Sequence, residues 1–283
     1  MIRSVIALSV FSAVALSSVG SHATVITPDF ANITASPAAQ FAPTGWFTDR
    51  YEPTSFSNVG TYQGRSNVLG IEITSAGSAA NRPSGFSSSF YNTQGRQHQL
   101  TGGAGSSIAA DLYIENSWAT ADNGNVRSDI WGIMANTAFD PSNLFAGITD
   151  YPIFGFTNYG GAPRYRAFDA DSVNGWVDLN VPVVYGAWNS FEILFTGSSY
   201  DFLLNGSLVY SDTTINGTTG FRGTIMQAFN FGDSSSTGTP GANVADYTAR
   251  WSNTRAQAVP EPGTIALLAL ALAGLVAVRR RSR

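Results

Sequence analysis

Apolar residues along this chain occur in short runs that alternate with polar residues, between clusters of Gly, Asn, Ser and Pro. This alternation is typical of half-buried strands, and no long segment has the spacing of an amphipathic helix. We therefore predict an all-β domain. The predicted strands are Ser66–Thr74, Ser107–Ile114, Ser128–Met134, Ile153–Thr157, Gly175–Val181, Ser190–Thr196, Ser199–Leu204, Ser207–Ser211, Gly223–Phe231 and Ala245–Trp251.

The most specific local pattern is a hairpin over Tyr200–Tyr210, in which Asn205-Gly206 separates two apolar runs. Asn-Gly readily adopts the two positive φ angles of a type I′ turn, whose twist matches that of the flanking strands. On the preceding segment, Phe191 and Ile193 alternate with other residues. We expect them to face the core of the domain.

The first 23 residues have the order of a secretory signal peptide. Arg3 supplies an early positive charge, Val5–Val19 is apolar or small throughout, and a small-residue cleavage site ends at Ala23. We predict a signal helix over 1–23 and a mature chain that begins at Thr24.

The last 25 residues, 259–283, contain a Pro-Glu-Pro motif, an uncharged stretch over 264–278 and a terminal arginine cluster. The stretch has 15 residues. As a helix it would be about 22 Å long, whereas a membrane span normally needs about 20 residues. We predict a short transmembrane helix whose arginines stay on the cytoplasmic side.

These three parts, in this order and spacing, resemble the PEP-CTERM sorting tail. The resemblance implies recognition by an exosortase after transient residence in the inner membrane. It also implies a Gram-negative host that makes exopolysaccharide, with the protein placed at the cell envelope, the outer surface or the extracellular matrix. The residues that carry the match are Pro260, Glu261, Pro262, Arg279, Arg280 and Arg281.

Four segments of the remaining body, residues 24–258, follow one another as Gly175–Leu179, Trp188–Ile193, Asp201–Gly206 and Asp246–Trp251. A strand that starts with Trp and then alternates, followed by a strand–Asn-Gly–strand hairpin, resembles the concanavalin A-like (laminin-G, lectin and glucanase) jelly roll. The resemblance implies a two-sheet antiparallel β-sandwich. That fold hosts enzymes, lectins and adhesion modules alike, so it does not select a function.

Composition excludes several classes of function. The chain has no cysteine and no lysine. Ten of its fifteen arginines and eighteen of its nineteen acids lie between Thr24 and Ala258, which gives this body a net charge of −8. Nucleic acid is not an expected partner, because its binding needs clustered cations. His98 is the one histidine of the predicted mature chain and lies in a polar, turn-like stretch, where we expect it to be exposed rather than part of a Ser-His-Asp triad.

Glycoside hydrolysis in this fold usually requires two Glu at alternate positions of one strand, so that both face the groove. The Glu residues of this chain do not form such a pair, so we predict that the domain is not an enzyme. A divergent polysaccharide hydrolase with a pair of Asp is the alternative. The five Glu, no two of which are near each other, are Glu52, Glu72, Glu115, Glu192 and Glu261.

Asp169, Asp171 and Asn174 offer oxygen ligands ahead of Gly175, at a spacing similar to that of a calcium loop. The bidentate Glu of that loop is missing, since Asn180 stands at its twelfth position. Asp, Asn and Gly are also the residues that β-turns prefer. We favour a plain turn and no cofactor, with bound calcium as the alternative.

Six Trp and eleven Tyr supply rings that either stack on sugars or fill the core. Burial in the core is the competing interpretation for each ring. Two or three exposed rings along one sheet would favour a glycan site. The candidate glycan contacts are Trp118, Trp131, Trp176, Tyr165 and Arg164.

These observations together predict an exported, non-catalytic surface module associated with glycan or exopolysaccharide. Two alternatives remain, which are the divergent hydrolase and a purely structural envelope protein. The two carboxylates of a hydrolase would lie about 5 to 10 Å apart in a cleft. A structural protein would bind no glycan.

Overall fold

The computed structural model describes residues 24–26, 45–74 and 92–257, with gaps at 123, 139, 141–142, 144–145 and 233–245. The predicted signal peptide and sorting tail lie outside these residues, so both segments and the domain boundaries at 23 and 258 stay predictions. Within the described part, no helix has the length and apolar character needed to cross a membrane.

The regular secondary structure of the described residues consists of strands, and a 3-10 turn lies at Asn116–Ala119. The strands in chain order are β1 (Thr24–Val25), β2 (Trp46–Asp49), β3 (Ser55–Tyr62), β4 (Arg65–Ile73), β5 (Thr93–Gly102), β6 (Ser106–Ile114), β7 (Arg127–Ala135), β8 (Ile148–Asp150), β9 (Ile153–Thr157), β10 (Arg164–Phe168), β11 (Trp176–Asp178), β12 (Ala187–Phe195), β13 (Tyr200–Leu204), β14 (Ser207–Asp212), β15 (Gly220–Phe229) and β16 (Tyr247–Gln257).

The strands form two eight-stranded sheets in which every pair is antiparallel. The first sheet has the order β14-β13-β12-β6-β16-β4-β3, with β1 paired to β16. The second sheet has the order β11-β10-β9-β7-β15-β5-β2, with β8 paired to β7. The prediction of an all-β, two-sheet antiparallel sandwich is confirmed.

Alternate residues of both sheets meet in one apolar core. Phe191, Ile193 and Phe195 of β12 are at most 1% exposed, as their alternation predicts. The ring of Phe191 lies edge-on to Phe154 of β9, in the opposite sheet, with their centroids 4.9 Å apart. Aromatic pairs in this arrangement add about 1 kcal/mol each beyond the area that they bury.

A hydrogen-bond chain connects the two sheets through the core. The buried indole of Trp251 on β16 donates to Ser128 Oγ on β7 at 3.0 Å. The Ser128 hydroxyl in turn donates to the carbonyl oxygen of Gln227 on β15 at 2.7 Å. These bonds satisfy polar groups that would otherwise be costly to bury.

All ten predicted strands are present, with ends that differ by a few residues. Six further strands of the structure were not predicted. The missed strands are β1, β2, β3, β5, β8 and β10. In β5, Gln94 and Arg96 are buried polar residues, so the strand lacks the apolar alternation that would reveal it. His98 belongs to β5 and is half-buried, with its ring edge-on to Trp46 at 5.0 Å. The expectation of an exposed His98 in a turn is therefore wrong.

The hairpin between β13 and β14 is confirmed. Leu204 pairs with Ser207, and the two intervening residues, Asn205 and Gly206, have φ angles of +50° and +81°. Both angles are positive, as a type I′ turn requires. No atom lies within 4 Å of the position that a Gly206 Cβ would occupy, so only the backbone angle requires glycine there.

We expect Gly206→Ala to lower the free energy of unfolding by about 1 kcal/mol, because a Cβ is strained at positive φ even where space is free. Urea denaturation measures this loss. Ser207→Ala, one residue further on at an exposed position, is the matched control and should leave stability nearly unchanged. Equal stability of the two variants would contradict the assigned turn.

Candidate functional site

The outward face of the second sheet carries the candidate site. Ile130 of β7 belongs to the central core, so its neighbours Asp129 and Trp131 point to the opposite face. Trp131 instead joins a separate apolar cluster with Ile153 and Ile225, on that outward face. Polar and apolar residues therefore lie side by side there, outside the main core.

One cross-strand row of this face is polar and reaches across seven strands. Register pairs its members in sequence from β2 to β11. We call it the polar row. Its members are Asp49, Gly95, Gln227, Asp129, Gly155, Arg166 and Asp178.

The adjacent row, two residues along each strand, is mainly apolar and aromatic. We call it the aromatic row. Its members are Phe47, Gln97, Ile225, Trp131, Ile153, Phe168 and Trp176. Four aromatic rings and two isoleucines of this row therefore flank the polar groups, and Gln97 is its one polar member.

Two glycines leave the middle of the polar row without side chains. A Cβ on Gly155 would collide with the Asp129 side chain and the Ser128 carbonyl oxygen. A Cβ on Gly95 would collide with backbone beside Gln227. Only glycine fits at these positions, because the Asp129 side chain and the backbone next to Gln227 fill the space that a Cβ would need.

Asp129 is the central acid of the row and is fully buried. Its Oδ2 accepts hydrogen bonds from Arg127 Nε at 2.6 Å and from Gln227 Nε2 at 2.7 Å. Its other oxygen, Oδ1, has no hydrogen-bond partner, and neither has Gln227 Oε1. Two buried acceptors thus lack donors, although buried polar groups in proteins are nearly always satisfied.

Arg166 and Trp176 form the other end of the site. The guanidinium carbon of Arg166 lies 3.8 Å from the centroid of the Trp176 ring, and that of Arg127 lies 4.6 Å from the same ring. Burial, and then the nearby charge of Arg127, lower the pKa of Arg166 to about 10. The site opens at the sheet edge, where Arg164 pairs with Asp178 at 2.7 Å and the Asp178 side chain is 57% exposed.

The structure brings three of the five candidate glycan contacts together on this face, namely Trp131, Trp176 and Arg164. The other two belong to the core. Trp118 stacks on Phe156 at 5.8 Å, and Tyr165 is fully buried, with its hydroxyl 2.8 Å from Asn189 Oδ1. Their burial corrects the expectation that they line a glycan site.

None of the six tryptophans is exposed. Trp46, Trp118, Trp131 and Trp251 are at most 6% exposed, and Trp176 and Trp188 are half-buried. Ring exposure alone therefore does not identify a glycan site. The polar row is the candidate site that the structure adds, and sequence reasoning missed most of it.

The missed residues are Arg127, Asp129, Arg166 and Gln227. A signal was present in the first two, because Arg127-x-Asp129-x-Trp131 places three large polar or amphipathic side chains on one face of an otherwise apolar strand. Gln227 and Arg166 gave no such signal. Only strand pairing brings them beside Asp129.

The outward face of the first sheet carries a network of a different kind. Arg65, Arg255 and Asn253 all donate to the carboxylate of Asp111. Burial opposes the ionisation of Asp111, but hydrogen bonds and the Arg65 guanidinium together hold its pKa below its usual value. Glu115 likewise accepts from Arg250 at 2.7 Å. Both carboxylates therefore have charged donors, which is the pattern of a structural network.

The predicted calcium residues lie in a turn after β10. Asp169 Oδ1 accepts from the backbone N–H groups of Asp171 and Ser172, at 2.8 and 3.1 Å, and its Oδ2 accepts from the Tyr210 hydroxyl at 2.6 Å. Asp171 and the buried Asp212 lie close by, with carboxylate oxygens of the three acids within 4.8 Å of one another. Asn174 is exposed. Oδ1 of Asp169 thus accepts from the turn backbone and Oδ2 from β14, and calcium binding stays the alternative to the predicted plain turn.

Comparison with known proteins identifies the tail. Residues 258–281 match the family model of the PEP-CTERM protein-sorting motif. The match confirms the predicted resemblance and implies an exported protein that an exosortase processes. No curated protein matches the chain.

Solved structures resemble the β-sandwich at low identity. One is a sialidase, with 10% identity over 76% of this chain and 17% of that chain and a TM-score of 0.44. Another is a β-glucanase of Bacillus licheniformis, with 14% identity over 84% of this chain and 98% of that chain and a TM-score of 0.47. A third is the carbohydrate-binding module CBM66 of Bacillus subtilis, with 11% identity over 77% of this chain and 98% of that chain and a TM-score of 0.37. At these identities the similarity concerns the fold alone. The chain spans about a sixth of the sialidase.

The acidic cluster generates a prediction about pH. Burial, together with the charges of Asp169, Asp150 and Asp171, raises the pKa of Asp212 to about 6. The unfolded chain has an Asp pKa of about 3.9, so the folded state binds this proton more tightly. We therefore expect the melting temperature to fall as the pH rises from about 4 to about 6, and to fall less in Asp212→Asn.

Melting curves followed by circular dichroism, with a chelator present, measure this difference. Asp201→Asn, on the neighbouring strand β13, is the matched control. An identical pH profile for wild type and Asp212→Asn would contradict the prediction. Added calcium that raises the melting temperature of the wild type, but not of Asp212→Asn, would instead support the calcium alternative.

Proposed function

We propose that the β-sandwich is a non-catalytic glycan-binding module of an exported surface protein, and that the outward face of the second sheet is its binding site. The observation that carries the proposal is the set of buried polar atoms without partners. Asp129 Oδ1, Gln227 Oε1 and Arg166 Nε lie in one row and have no hydrogen bond.

The chemistry of these atoms matches a sugar. The two oxygens need donors and the Arg166 N–H needs an acceptor, and a sugar hydroxyl provides both. Leaving each such group unsatisfied costs about 1 to 3 kcal/mol, so a ligand that satisfies them regains that energy on binding. The half-buried ring of Trp176, next to them, offers an apolar surface for the C–H face of a sugar ring.

A hydrolase is less well supported. No described strand carries two acids, so no strand presents the paired carboxylates on one face. Within the polar row, Asp129 is three strands away from both Asp49 and Asp178. At about 4.8 Å between strands, those separations are about 14 Å, beyond the roughly 5 to 9.5 Å that glycoside hydrolysis uses.

The tail supports the location that we propose for this function. After recognition by an exosortase at the inner membrane, the domain would stand at the outer surface or in the extracellular matrix. Exopolysaccharide would be the glycan within reach there. The body charge of −8 and the absence of lysine fit a role outside the cell and away from nucleic acid.

We expect the full chain, purified in mild detergent, to bind oligosaccharides on a glycan array, and Trp176→Ala to weaken the best interaction about tenfold, or about 1.4 kcal/mol. Trp188→Ala removes a ring of equal size from the outward face of the first sheet and should leave binding unchanged. Circular dichroism verifies that both variants fold. A chain that binds no glycan would support the structural-protein alternative.

Replacement of Pro260-Glu261-Pro262 by alanines should block processing in the producing host, since these residues carry the match to the sorting motif. An immunoblot of membrane and medium fractions reads this out as accumulation of the unprocessed chain. Thr264→Ala, just beyond the motif, is the control. Normal release of the triple variant would contradict exosortase processing at this motif.

A further inference from the structure

Arg166 differs from every other described arginine in having neither an ion pair nor a hydrogen bond. Its side chain contacts the Trp176 ring, and the residue is only 7% exposed. The arginines with a carboxylate partner are Arg50, Arg65, Arg127, Arg164, Arg250 and Arg255, and those with oxygen acceptors are Arg96 and Arg222.

The acids around Arg166 are already used by other groups. Asp129 Oδ2 accepts from Arg127 and Gln227, and Asp178 pairs with Arg164. Three guanidinium groups therefore share two carboxylates at this end of the site. The excess positive charge belongs to Arg166, which lies between the two ion pairs in the strand register.

An unpaired buried cation is expensive, since burial removes hydration that nothing replaces. With its pKa at about 10, Arg166 still carries its proton at neutral pH. A desolvated cation–π contact such as the one with Trp176 stabilises the cation by about 2 kcal/mol. The loss of hydration on burial costs a charged group several kcal/mol, which is more. An incoming anion would supply the missing partner.

We propose that the site selects a glycan with a carboxylate, such as a uronic acid, and that Arg166 pairs with that carboxylate. This inference rests on the proposed function and narrows its ligand class. The hydroxyls of the same sugar would donate to Asp129 Oδ1, and its ring would lie against Trp176. The edge next to β11, where Asp178 and Trp176 are partly exposed, is the side from which a chain of sugars enters.

The body as a whole repels anions, since its net charge is −8. A preference for an acidic sugar would therefore arise at a local site and not from general attraction. A local origin makes the preference dependent on one residue, and that dependence is what the experiment measures.

The experiment compares trigalacturonic acid with its methyl ester, which has the same backbone without the charge. Isothermal titration on the full chain in mild detergent should show the acid binding at least about tenfold more tightly than the ester. Arg166→Gln should lose that preference, because its affinity for the acid falls much further than its affinity for the ester. Arg250→Gln removes a charge from the outward face of the first sheet and should retain the preference.

Stability provides a second readout. If Arg166 serves a ligand and not the fold, Arg166→Gln should be at least as stable as wild type without sugar, because it removes an unpaired buried charge. A large loss of melting temperature in this variant would overturn the inference and assign Arg166 a structural role.

The remaining outcomes separate the two proposals. Equal binding of acid and ester by the wild type would leave glycan binding standing and overturn the carboxylate inference. A preference for the acid that persists in Arg166→Gln would also overturn it. If the wild type binds neither the acid nor the ester and also binds no glycan on the array, both proposals are overturned.

Discussion

The burial of every second side chain on the central strands of the second sheet is the constraint on which this structure depends. Once Ile130, Phe154 and Met226 face the core, their neighbours along each strand must face outward. The side chains of Asp129, Gln227 and Arg166 must therefore point to the outward face of the sheet. A shift of one residue in register would bury these polar groups in the core, so the packing that stabilises the sandwich also assembles the polar row.

The two outward faces of the sandwich use similar residues with different results. Around Asp111, arginines and amides satisfy one carboxylate from several sides, and nothing is left for a ligand. Around Asp129, the flanking positions are Gly95 and Gly155, which have no room for a side chain, and Asp129 Oδ1 and Gln227 Oε1 have no donor. Natural proteins accept such losses of stability where a site must remain ready for a ligand. The unsatisfied atoms are therefore better evidence of function than ring exposure.

The strands that were predictable are those in which apolar residues alternate, such as β12 with Phe191 and Phe195. The hairpin at Asn205-Gly206 was predictable because its turn chemistry is local. β5 was not, since Gln94 and Arg96 occupy core-facing positions where an alternating pattern would show apolar residues. Their polar side chains are accommodated by partners on other strands, and a single sequence does not reveal those partners.

The sequence by itself determined the all-β class and the sorting tail, because alternation, tight turns and a short motif are properties of neighbouring residues. The two-sheet architecture was implied by the resemblance to the jelly roll. It also excluded disulfides and a cysteine metal site, since the chain has no cysteine. Only the tertiary structure decided which tryptophans lie in the core and which residues form the site. Asp49 and Gln227 are far apart in the chain, and register alone places them in one row, because strand pairing depends on contacts that no local segment contains.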